Sequence, residues 1–139
     1  MKIGIISGYW NPPHYGHLEY ALAAKKQCQC LIAIVNNDLQ VKLKGSIPFM
    51  NESHRCSMMA EWRSIGIVKL SIDSDKTVCK TIESIRNEFP TDELQFFNSG
   101  DRVRNNIDSA EVILCKKLKI KYVASSLPKL YSSSELLKI

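Results

Sequence analysis

The stretch KIGIISGYWNPPHYGH, residues 2–17, decides how this chain folds. Residues 2–7 form an apolar run of strand length. Gly8-Tyr9-Trp10-Asn11-Pro12-Pro13 follows as a turn-rich exit in which two prolines fix the path of the backbone. His14-Tyr15-Gly16-His17 then opens a helix, traced by Leu18, Ala21, Leu22 and Lys25 at i, i+3, i+4 and i+7. Lys25 and Lys26 stand near its end, where cations suit the helix dipole. A second apolar run, Cys30–Val35, has the unbroken character of a strand covered on both faces.

Working outward, the same alternation continues. Asn36-Asn37-Asp38 ends the second strand, and residues 40–49 read as a basic loop. Asn51 is the expected N-cap of a helix running to about residue 64, with Cys56, Met59, Ala60 and Arg63 on one stripe. Residues 67–72 make a third strand, and Val78, Ile82, Ile85 and Phe89 mark a helix stopped by Pro90. Residues 94–97 and 120–124 complete the strands around a helix at 110–118, and a short last helix is expected near Ser133. Strands alternating with helices through short links imply an α/β, Rossmann-like, doubly wound parallel five-stranded sheet with helices on both faces.

The 139 residues suffice for a single domain, 1–139, whose core needs no disulfide or metal. Cys28, Cys30, Cys56, Cys79 and Cys115 are odd in number and scattered among apolar residues, which suits reduced structural thiols. No run approaches the ~18 apolar residues of a membrane span, and no signal segment is visible, so a cytoplasmic location without membrane contact is expected. The net charge of +5 favours an anionic partner. Dispersed lysines without an interleaved aromatic platform argue against nucleic acid as that partner.

In such a sheet ligands bind beyond the carboxyl ends of the strands, and the unusual polar residues fall there, at 14–17, 36–44, 73–76, 99–104 and 128–134. His14 and His17 lie on the first turn of a helix, whose unpartnered N–H groups and dipole favour an anion, and Gly16 lets the backbone approach one. A single histidine at a helix start is more often a cap or a surface residue. A zinc pair is disfavoured because helical metal pairs use i, i+4 spacing with an intervening Glu. The combination of strand, loop, H-x-G-H and helix is more specific than any of its parts.

On these motifs the chain resembles the H-x-G-H nucleotidyltransferases, a cytidylyltransferase-like superfamily that includes glycerol-3-phosphate cytidylyltransferases and heptose-1-phosphate adenylyltransferases. The resemblance runs from Ser7-Gly8-Tyr9-Trp10-Asn11-Pro12 through His17 to Ser132-Ser133-Ser134. Lys44, Arg55 and Arg63 match the family's basic positions, Gly100-Asp101-Arg102 its G-D motif, and Tyr131-Ser132-Ser133-Ser134 its terminal serine signature. Asn11 stands where many members have Asp, and Lys129, at shorter spacing, is the nearest counterpart of the basic residue in the terminal segment.

The resemblance implies transfer of CMP or AMP from CTP or ATP to a phosphorylated small alcohol or sugar, with release of pyrophosphate and no covalent enzyme intermediate. It assigns His14, His17 and Lys44 to catalysis. Gly8, Tyr9, Trp10, Asn11, Gly16, Asp101, Ser132, Ser133 and Ser134 are assigned to the nucleotide and its phosphates. Arg55, Arg63, Asp73, Asp75 and Arg102 are assigned to the acceptor or pyrophosphate. Mg²⁺ is expected to arrive with the triphosphate without a dedicated protein cage, and a homodimer is a family habit. The rival readings are a nicotinamide-nucleotide-type adenylyltransferase and a non-catalytic nucleotide- or nucleic-acid-binding domain of the same fold.

Overall fold

The apolar runs pair side by side into one parallel sheet of five strands: β1 (Lys2–Gly8), β2 (Cys30–Val35), β3 (Ile67–Leu70), β4 (Glu93–Asn98) and β5 (Lys121–Ala124). The computed structural model describes residues 1–98 and 109–124. The order is β3-β2-β1-β4-β5 and every pairing is parallel. The chain therefore steps outward from β1 to β3, crosses back, and continues through β4 on the other side of β1. The reversal between β1 and β4 opens a crevice at the carboxyl ends of the strands, the place where open α/β sheets bind ligands.

Strand alternation divides the core into two layers. Ile3, Ile5, Ile32, Ile34, Leu94 and Phe96 point to one face. There they meet Val78, Ile82 and Ile85 of the segment around α4 (Cys79–Glu88) and Cys115 of α5 (Ala110–Lys117). Ile6, Leu31, Ala33, Val35 and Phe97 point to the other, against Ala21 and Ala24 of α1 (Tyr15–Lys25) and Met59 of α3 (Glu52–Ala60). The fold class read from the sequence is thus the one observed.

Several boundaries differ for identifiable reasons. Residues 38–43, expected as loop, form a helix, α2 (Asp38–Leu43), because Asn37 caps it: its side chain accepts from the Gln40 N–H at 2.9 Å, while the side-chain Oε1 of Gln40 accepts from the Asn37 N–H at 3.0 Å. α3 ends at Ala60 rather than 64, where the N–H groups of Glu61 and Trp62 turn back to Met58 and Met59. Its inward face carries Arg55 and Met59, whereas Ala60 and Arg63 are exposed. In α1 the small Ala21 and Ala24 face the sheet and Leu22 is exposed. The third strand is shorter than expected, and Ile72 lies exposed beyond it.

All five cysteines are free thiols. Burial raises Cys28, Cys56 and Cys79 above the ordinary thiol range and pushes Cys115 up to about 12, which favours the protonated form of these sulfurs. No helix among the described residues is long and apolar enough to cross a membrane.

At Gly4 of β1 the turn after α1 and a β4 side chain leave no room for a side chain: a Cβ there would lie 2.8 Å from Cys28 Sγ and 2.8 Å from Phe97 Cε2. Gly4→Ala should destabilise the fold by about 1–3 kcal/mol through overpacking. Urea unfolding of both proteins checks it, with the midpoint lowered and the slope unchanged.

Candidate active site

The exit from β1 is shaped by Trp10. Its backbone lies in the left-handed region at φ 51°, a strained conformation for a bulky residue. Its side chain is only 1% exposed. The indole N–H donates to the Ile34 carbonyl at 3.0 Å, which ties the loop to β2. Gly8 makes room for the ring, since a Cβ there would stand 3.0 Å from Trp10 Cε2. The Trp10 indole, expected to contact nucleotide, is thus enclosed and braces the loop from beneath, while Gly8 stays half-buried beside it.

On that scaffold rest the two histidines. The Trp10 and His17 rings meet edge to face at 4.8 Å, and His17 stacks on His14 at 3.7 Å between centroids. His14 is the N-cap of α1 with an extended backbone, and its N–H donates to Nδ1 of His17 at 3.2 Å. An accepting ring nitrogen carries no proton, so neutral His17 bears its hydrogen on Nε2. Tyr15, Gly16 and His17 supply the first N–H groups of the helix. At the same end of the sheet, Tyr20 fastens α1 to β4 by donating its hydroxyl to the Phe97 carbonyl.

Arg55, expected to hold acceptor or pyrophosphate, is fully buried behind the loop. Nη1 donates to the carbonyls of Tyr9 and Asn36 at 2.7 Å each, Nε to that of Met50 at 3.0 Å, and Nη2 to the Asp38 carboxylate at 2.7 Å. Four of its five N–H donors thus fix protein groups, so its work is to position the loops. Lys44 ends α2, with Gly45 beyond it at φ 92°, and its ammonium lies 4.3 Å above the centre of the Tyr9 ring. Tyr9 therefore links Lys44 to the histidine loop through its ring and to Arg55 through its carbonyl. Asn11 completes the contact between these loops, donating to the Ile47 carbonyl at 3.0 Å and accepting from the Phe49 N–H.

Of the two aspartates after β3, Asp73 is engaged inside the protein and Asp75 is exposed. Asp73 is buried, and its carboxylate accepts from the N–H groups of Lys80 and Thr81 at 2.8 and 3.1 Å and from the Thr81 hydroxyl at 2.6 Å. It caps α4 in place of Val78, which has no side-chain oxygen for the task. Asp75 accepts from the N–H and hydroxyl of Thr77 at 2.9 and 2.7 Å, bonds that hold its carboxyl below the usual range. Arg63 is set apart from the rim. α3 has ended by then, and the chain is returning to the start of β3, where the Gly66 N–H donates to Leu31 near the start of β2. Asp101, Arg102, Lys129, Ser132, Ser133 and Ser134 lie outside the described residues.

The sequence places Asn36, Asn37 and Gln40 on the rim without disclosing their duty. Asn36 Nδ2 donates to Gln40 Oε1 at 3.1 Å, Asn37 Nδ2 donates to the carbonyls of Ser71 and Asp73, and Gln40 Nε2 donates to those of Asp75 and Thr77. They bind the loop after β3 to the start of α2. The signal was available: an Asn followed three residues later by a Gln directly after a buried strand is a capping-box pattern. Among the described residues no three His, Cys, Asp or Glu side chains converge as a metal site would require.

Arg55→Ala would strand the Tyr9 and Asn36 carbonyls and the Asp38 carboxylate together. It should cost on the order of 2–4 kcal/mol in chemical denaturation. Arg55→Lys, with three donors and no planar fork, should recover less than half of that loss.

The cytidylyltransferase-like family model matches residues 5–139. The chain is 28% identical over 115 residues to the bifunctional protein HldE of Bradyrhizobium, an alignment covering 81% of this chain and 22% of that protein. It is 28% identical over 109 residues to a probable nicotinate-nucleotide adenylyltransferase of Opitutus terrae, covering 74% and 56%. The chain thus spans about a fifth of the first relative and just over half of the second. Among solved structures, a lipopolysaccharide core biosynthesis protein of Thermoplasma volcanium shares the fold at TM-score 0.73 and 20% identity, covering 92% of this chain and 98% of that one. A putative nicotinate-nucleotide adenylyltransferase of Vibrio parahaemolyticus does so at TM-score 0.66 and 17% identity, covering 96% and 77%. With the parallel sheet, the histidine-led helix and a family match over nearly its whole length, the chain belongs to the cytidylyltransferase-like family.

Proposed function

We propose that this chain is a nucleotidyltransferase that moves CMP or AMP from CTP or ATP to a phosphorylated alcohol or sugar of the glycerol 3-phosphate or heptose 1-phosphate type, releasing pyrophosphate. The observation that carries the reading is the orientation of His17: its Nδ1 accepts from the backbone at the head of α1, which leaves Nε2 as its N–H donor. The His17 ring belongs to the first turn of an eleven-residue helix, and the His14 ring is stacked against it. Together these groups suit the oxygens of a phosphate.

In the reaction an oxygen of the acceptor phosphate attacks the α-phosphorus in line, a new P–O bond forms, and the bond to the bridging oxygen of pyrophosphate breaks. Charge grows on the equatorial oxygens, and donors fixed beforehand stabilise it without reorganising. His14, His17 and the head of α1 fill that role. Lys44 reaches the triphosphate from the end of α2, and Ser132, Ser133, Ser134, Asp101 and Arg102 are proposed to complete the nucleotide and acceptor contacts. The substrate enters as its Mg²⁺ complex. Asp38, Asp73, Asp75 and Glu52 already bind N–H groups or Arg55, which suits a metal held mainly by phosphate oxygens. The Opitutus relative's name supports a second reading, in which the acceptor is a nicotinate nucleotide and the transferred group is AMP.

A pyrophosphate-release screen should pair CTP and ATP with glycerol 3-phosphate, heptose 1-phosphate and nicotinate mononucleotide. Release is expected with one pair, and release with none from folded protein would overturn the reading. With the active pair, His17→Ala should lower kcat by about 10²–10³-fold while leaving the circular dichroism spectrum unchanged. Lys44→Ala should raise the triphosphate KM or lower kcat by about tenfold or more, and unchanged values for both would remove Lys44 from the mechanism.

A further inference from the structure

We propose that Asn11 is a positioning residue that acts through Lys44: its carboxamide clamps the loop between α2 and α3 and so sets where the lysine stands. The inference rests on the proposed phosphate-binding role of Lys44. The side chain meets the backbone of the loop at two points, donating from Nδ2 to the Ile47 carbonyl at 3.0 Å and accepting at Oδ1 from the Phe49 N–H. Only a group with a donor and an acceptor side by side does both, and the two partners fix which end of the amide is which. A carboxylate in its place would keep the bond to Phe49 and set a negative oxygen against the Ile47 carbonyl.

The large apolar side chains on either side of Pro48 do little of this work by packing. Ile47 and Phe49 are 84% and 62% exposed, so their side chains bury little apolar surface to hold the segment down. Gly45, at φ 92°, turns the chain out of α2 and has no atom within contact distance of the position a Cβ would take. The loop is fixed at its end by Arg55, which binds the Met50 carbonyl, and at its beginning by the contact of Lys44 with Tyr9. Asn11 supplies the hold in between, from the same exit loop that leads into the histidine helix.

The test uses the full chain with Asn11→Asp and Asn11→Ala, the second guarding against a failure of the first to fold. Trypsin cleavage after Lys42 and Lys44, followed by mass spectrometry, reads the clamp without reference to activity. Cleavage after Lys80, within α4, reports global opening. Both variants should be cut after Lys42 and Lys44 about tenfold faster than the parent while the Lys80 rate stays the same. With the active substrate pair, Asn11→Asp should lower kcat/KM for the triphosphate by about tenfold, and by less than about twofold in the Lys44→Ala background. Parental cleavage rates in both variants, or costs that multiply fully in the double variant, would overturn the proposal. Absence of any transfer by the parent chain would overturn the functional reading instead, and proteolysis would still decide the clamp.

Discussion

Where parallel strands end side by side, their last carbonyls and those of the diverging exit loops lose ladder partners, and a buried carbonyl without a donor is costly. At the ends of β1 and β2 this demand is met by the guanidinium of Arg55, which collects the carbonyls of Tyr9, Asn36 and Met50 on one planar fork. Its own charge is compensated by Asp38 at 2.7 Å, so the desolvation of a fully buried arginine is offset by four well-directed bonds. A lysine has neither the number of donors nor their fixed directions. Because these three carbonyls belong to the histidine loop, the start of α2 and the approach to α3, one side chain sets the mutual arrangement of all three.

From that anchor the rim of the sheet is built in polar contacts. Asn36, Asn37 and Gln40 carry the arrangement onward to the loop after β3, and Asp73 carries it into α4. On the other side, Trp10 hydrogen-bonds to β2 and braces His17 by an edge contact. The reacting groups proposed here therefore rest on a floor whose members bond one another. Such preorganisation is what phosphoryl and nucleotidyl transfer needs from a protein that contributes position and charge instead of a nucleophile.

The apolar runs made the fold legible, because a strand covered on both faces leaves an unbroken signature and β2 was read to the residue. The head of α1 was equally legible from its histidines and prolines. The duties of the polar residues were not. A D-x-D after a strand looks alike whether its carboxylates meet a ligand or a helix, and Asp73 was claimed by the N-terminus of α4 because Val78 cannot cap it. Arg55 and Arg63 fall two turns apart in sequence, yet the early end of α3 separates them, one under the site and the other toward the amino ends of the strands. α2 escaped because six polar and apolar residues in two turns show too little periodicity to outweigh a basic, loop-like composition.

What joins the scaffold to the chemistry is the proton on His17. Long-range ¹⁵N–¹H correlation of the histidine rings, before and after addition of a non-hydrolysable Mg²⁺–nucleoside triphosphate, reports that proton directly. The structure requires the Nε2–H tautomer in the neutral ring, and the proposed function requires the Nε2 resonance to move on titration while Nδ1 keeps the signature of an acceptor. An Nδ1–H tautomer, or an Nε2 resonance indifferent to saturating CTP and ATP analogues alike, would contradict the account.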